Sequence, residues 1–117
     1  MTNTFNPMTA PLAEVIDWLA ERLGYYRENF HGEVVWRDKN GRPVGQPKIT
    51  LDRVAGMLPE RWILRDVYDT RLNLLMAGTP GIVAVLRRPD SEETLSAFGP
   101  TEFEARARVV AAALMRQ

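Results

Sequence analysis

The residues able to do chemistry in this 117-residue chain are few and scattered. There is one histidine, His31, and no cysteine, which removes thiolate chemistry and argues against a zinc site. His31 stands in a polar stretch with no obvious partner, so it reads as a surface histidine. The serines, Ser91 and Ser96, lack the setting of a nucleophile elbow. Asp52, Asp66 and Asp69 lack the dense oxygen spacing of a calcium loop. Gly78-Thr79-Pro80-Gly81 joins two expected strands, so it aims no helix N-terminus at a phosphate. The expectation is a chain with no catalytic residue, no metal and no cofactor.

Two groups of side chains suit binding instead. The first is Tyr25, Tyr26, Arg27 and Phe30, followed by Trp36 and Arg37. Aromatic residues and arginine are enriched where protein partners bind tightly, and also where half-buried strands pack. The second is arginine on the middle strands. Arg61, Arg65, Arg71, Arg87 and Arg88, with Arg53 nearby, could converge on one sheet end and meet a polyanion. Asp66, Asp69 and Asp90 are available to turn the same arginines into a solvated, paired rim.

The elements that must position these groups follow from periodicity. Residues 1–9 are polar and read as a disordered arm, leaving 10–117 as a single α+β domain. Thr9 is the expected N-cap and Pro11 the first turn of a helix. Leu12, Val15, Ile16, Leu19 and Leu23 form its apolar face, and Gly24 ends it. Tyr25 to Gly32 shows no period. Glu33 to Asp38 alternates as a strand, and Asp38-Lys39-Asn40-Gly41 turns the chain. Pro43 and Pro47 make the return from Arg42 to Ile49 an edge strand or a loop.

Thr50 caps a short helix, Leu51 to Leu58, stopped by Pro59. A strand from Arg61 to Asp69 places Trp62, Leu64, Asp66 and Tyr68 on one face, with Ile63, Arg65 and Val67 on the other. Leu72 to Ala77 reads as a further apolar strand. Ile82 to Leu86 is apolar at every position, so it should be covered on both faces, with helices as the cover. Glu93 to Phe98 is a last strand. Thr101 and Glu104 form a capping box for the final helix, with Glu102–Arg106 and Glu104–Arg108 as i,i+4 ion pairs. Its buried stripe is Phe103, Ala107, Val110, Ala111 and Leu114. The expected fold is α+β, an antiparallel sheet of about four to five strands covered by an N-terminal, a middle and a C-terminal helix.

Composition narrows the function. Fifteen basic residues balance fifteen acidic ones, whereas a dedicated nucleic-acid binder usually carries a basic excess. No apolar run reaches the roughly 20 residues needed to span a bilayer, and the first ten residues do not form a signal peptide. A membrane partner is therefore not expected, and the cytoplasm is the default compartment. Exposed edge strands allow a homodimer.

The element order resembles small bacteriophage proteins of the phage α/β/α sandwich domain class. The likeness runs through the helix Leu12 to Leu23, the short helix Thr50 to Leu58, and Leu58-Pro59-Glu60-Arg61-Trp62 leading into a strand. It continues in Ser96-Ala97-Phe98-Gly99-Pro100-Thr101 and the Ala111-Ala112-Ala113-Leu114 helix. The strand Leu72 to Ala77 and the proline-rich return are departures from it. The resemblance implies a phage or prophage accessory protein and supplies no catalytic residues. The expected function is non-enzymatic binding of a host or phage protein, for example to inhibit a host defence system such as CRISPR. The alternative is nucleic-acid or nucleoprotein binding through the arginine-rich strands.

Overall fold

The computed structural model describes residues 5–70 and 80–116. The first helix, α1 (Leu12–Arg22), buries Val15 and Leu19 completely, as its apolar spacing requires. Its N-cap is Pro11, not Thr9, and no side chain caps it. The φ of Pro11 is −54°, which already suits helix entry.

Residues 5–9 fall in the stretch expected as a disordered arm, and they lie against the helices. The Phe5 ring stacks on Trp18 at 5.5 Å. Pro7 is buried. Its carbonyl accepts from Arg108 Nη1 at 2.9 Å, and the Ala10 carbonyl accepts from the same nitrogen at 2.7 Å.

After α1 the chain forms a hairpin of β1 (Tyr26–Phe30) and β2 (Glu33–Arg37), with Phe30 opposite Glu33. β1 lies where no period was visible. The two-residue turn between them is His31-Gly32, with φ of 51° and 81°. Positive φ at both positions is the turn geometry that matches strand twist. Gly32 pays no steric cost there, and a Cβ would cost about 1 kcal/mol. Gly32→Ala is therefore expected to speed amide exchange at Phe30 and Glu33 about fivefold, measured against the wild-type hairpin.

β3 (Pro43–Val44) adds two residues to β2, and proline at its start keeps it short. These three strands form one antiparallel sheet in the order β1-β2-β3. A second antiparallel sheet, β4-β5-β6, is built from β4 (Ile63–Asp69), β5 (Ile82–Arg87) and β6 (Thr94–Gly99). The expected single sheet of four to five strands is thus corrected to two sheets of three. The cause is local: β3 is too short to continue the ladder, and α2 (Leu51–Gly56) intervenes before β4. Thr50 caps α2 as expected, its hydroxyl accepting from the Arg53 amide at 3.2 Å.

The phase of β4 also differs from strict alternation. The register shifts between Leu64 and Asp66, leaving Arg65 in a bulge. Leu64 and Val67 then share a face with Leu86 and Ala84, while Ile63, Asp66 and Tyr68 share the other with Arg87, Val85 and Val83. One extra residue inverts the alternation beyond it. The segment expected as a strand at Leu72–Ala77 lies outside the described residues.

The last helix, α3 (Glu102–Met115), packs on β5 and β6 and also against α1 and α2. It is sandwiched between a sheet and a helix layer, so burial runs round it instead of along one stripe. Ala105, Ala107, Val109, Val110, Ala111 and Ala113 are all at most 3% exposed. Alanine lets the backbone approach on both sides. Thr101 caps α3, its hydroxyl accepting from the Glu104 amide at 3.1 Å, while the Glu104 carboxylate turns to Arg108.

Among the described residues, α3 covers one face of the second sheet. On the other face Val83 is 7% exposed, flanked in register by Tyr68 and Phe98.

Candidate functional site

The aromatic and arginine segment divides into two faces. Alternation along the hairpin puts Arg27 and Trp36 opposite each other on the side toward α1. Trp36 is 7% exposed and belongs to the core. The Arg27 guanidinium lies 5.3 Å from the Trp36 ring and donates to Glu21 at 2.8 Å, with Asp17 at 3.6 Å. These two residues fasten the base of the hairpin to α1.

The other face displays Tyr26, Glu28 and Phe30 beside Arg37, Val35 and Glu33. Tyr26 is 43% and Phe30 53% exposed. Arg37 pairs with Glu28 and donates to the Gly41 carbonyl at 3.0 Å, so it stiffens the face. Val34 is 66% exposed near the hairpin tip. It lies on the Trp36 side of β2, beyond the part that α1 covers. His31 is exposed at the turn, its ring edge against Phe30 at 4.3 Å.

The backbone of β1 completes this surface. All five of its residues are exposed, and among the described residues no strand pairs with its outer edge. A two-residue turn makes Phe30 and Glu33 a hydrogen-bonded pair, so Phe30, Glu28 and Tyr26 bond inward to β2. The amides and carbonyls of Arg27 and Asn29 therefore point outward, ready to form a ladder.

Comparison with known protein families, with curated proteins and with solved structures finds no match to this chain.

Tyr25 leaves the hairpin group. Its hydroxyl accepts from Arg53 Nη1 at 3.2 Å in a cleft of about 570 Å³ at the base of the hairpin. The middle-strand arginines go elsewhere. Arg61 and Arg88 line a second cleft of about 460 Å³ over Trp62, joined by Arg116 from the end of α3. Arg88 is held by Asp90 and Glu93, and Arg116 by the same Glu93. The hydrogen bond from Arg88 holds the Asp90 carboxyl below its ordinary range and raises the guanidinium in return. Arg87 lies on the opposite face, between Ile63 and Thr94 in register, and Arg65 occupies the bulge. Arg71 lies outside the described residues. The described arginines are not gathered on one surface.

Among the described residues no group of three or more His, Asp or Glu side chains is placed to hold a metal ion. No helix there is long and apolar enough to cross a membrane.

Proposed function

We propose that this chain is a non-enzymatic protein-binding domain whose contact element is the β1–β2 hairpin. A partner protein adds an extended segment to the open edge of β1, and Tyr26 and Phe30 receive its side chains. The observation that carries this reading is an edge strand exposed at every residue, with two large aromatics at i and i+4. Natural edges are usually blunted by free charge, proline or a cover, and the charges on β1, Arg27 and Glu28, are both tied up in ion pairs within the domain. Strand addition draws affinity from main-chain hydrogen bonds and specificity from the alternate side chains. The phage or prophage role, with inhibition of a host defence such as CRISPR as one use of such binding, rests on the resemblance in element order alone.

Polyanion binding is the weaker reading. Arg88 and Arg116 already share carboxylates, so phosphates would have to displace these before releasing their own counterions.

Asn29→Pro tests the reading. Proline removes the outward amide of β1 without touching the inward ladder. Tagged wild-type protein is expected to capture one nuclease-resistant partner from bacterial lysate, and the variant to lose it while keeping its circular dichroism. Capture that survives the proline rejects strand addition. Capture lost on nuclease treatment turns the assignment to nucleic acid. A wild-type dimer in light scattering that the proline abolishes makes the occupant a second copy of the chain.

A further inference from the structure

The cleft at the base of the hairpin lies between the end of α1, the β2–β3 turn and α2. Its volume of about 570 Å³ falls in the range of small-molecule sites. Its lining combines apolar groups, Leu23, Met57 and the Tyr25 ring, with two cations, Lys39 and Arg53. Arg53 spends one donor on the Tyr25 hydroxyl at 3.2 Å. Among the described residues, neither Arg53 nor Lys39 has a carboxylate within 4.0 Å. The carboxylate that borders the cleft, Asp38, is turned to its own loop: its Oδ1 accepts from the Asn40 and Arg42 amides at 2.9 and 3.0 Å. The lining thus places two cations without an ion-pair partner beside apolar groups, with one carboxylate engaged by its own loop.

We propose that this cleft binds a small aromatic oxyanion, an aryl carboxylate or aryl phosphate. The ring lies along Leu23, Met57 and Tyr25, and the anionic oxygens meet Arg53 and Lys39. The Arg53–Tyr25 hydrogen bond holds the guanidinium in place, so its remaining donors are set before the ligand arrives. Gly56, the last residue of α2, leaves the cleft open: a Cβ there meets nothing within 4 Å.

Phenyl phosphate titrated into the ¹⁵N-labelled full chain tests this. Saturable amide shifts are expected at residues 23–25, 38–40 and 53–57. Arg53→Gln should weaken binding about tenfold, the worth of a charge-assisted hydrogen bond. Gly56→Leu should abolish it by filling the cleft while the spectrum keeps its dispersion. Inorganic phosphate and phenol should each bind more weakly than phenyl phosphate. Equal binding of phosphate overturns the apolar contact, and equal binding of phenol overturns the charge. Shifts that do not saturate, or that persist in both variants, overturn the site. Asn29→Pro should bind phenyl phosphate like wild type, so failure of the hairpin reading and failure of this one are distinguishable.

Discussion

Arg108→Met is expected to destabilise the fold by about 3 kcal/mol, read as a lower midpoint in urea unfolding at unchanged slope. Arg108 is 8% exposed, and three acceptors converge on its guanidinium. Nη1 donates to the carbonyls of Pro7 and Ala10, at 2.9 and 2.7 Å. Nε and Nη2 both meet the Glu104 carboxylate at 3.1 Å. Methionine keeps the length and apolar stem of arginine, so packing loss is small. What it leaves behind is a mostly buried carboxylate and two carbonyls without their donor, and unpaired groups cost more than the bonds were worth.

The double variant Glu104→Met/Arg108→Met separates these parts. It removes the stranded charge and should recover about half of the loss. The share owed to the carbonyls stays, because no apolar side chain can donate to them. Arg108→Lys should recover less than the arginine, since an ammonium cannot span the carboxylate and both carbonyls as a planar fork does. In Arg108→Met, proteolysis within residues 5–10 should accelerate while Phe5 leaves Trp18. Unchanged stability would mean that the N-terminal segment is held by Phe5 and Pro7 alone.

Arg108 also shows where sequence reading reached its limit. The Glu104–Arg108 spacing announced an ion pair, and the pair is present. Spacing alone places such a pair on a solvated helix face. Only the tertiary arrangement, α3 between a sheet and two helices, carries it inside. The apolar face of α1 and the Thr50 and Thr101 caps were legible because each is set by neighbours within one or two turns. The hairpin strand β1 was not, since both its faces meet solvent and it carries no hydrophobic period. Its signal lay in the His31-Gly32 turn. The bulge at Arg65 defeated alternation in β4, because an extra residue leaves no mark in composition. The proposed binding surface was half legible. Tyr26 and Phe30 are displayed, while Trp36, of the same residue class, went to the core. The Arg53–Tyr25 contact joins residues 28 positions apart, which no local spacing could announce.

Gly99→Ala is expected to cost about 3 kcal/mol, although it adds a single methyl group. Gly99 closes β6 just before α3 begins, and the helix turns back over it. A Cβ at this position would lie 2.9 Å from the Ala105 backbone nitrogen and 2.9 Å from Cβ and Cγ of Glu104. The Glu104 side chain cannot swing aside freely, because it is tied to Arg108, and the amide of Ala105 belongs to the first turn of α3. Relief therefore requires the helix to lift from the sheet, which loosens the packing of Ala105 and Ala107 as well. Gly56→Ala is the matched control. Its Cβ enters open space, and loss of unfolded-chain freedom should stabilise it by about 0.5 kcal/mol. Urea unfolding of the two variants side by side separates steric contact from the loss of glycine as such. Combined with Arg108→Met, Gly99→Ala should cost less than the sum, because both substitutions release the same first turns of α3. Additive losses would place the strain at Gly99 outside the helix and its arginine.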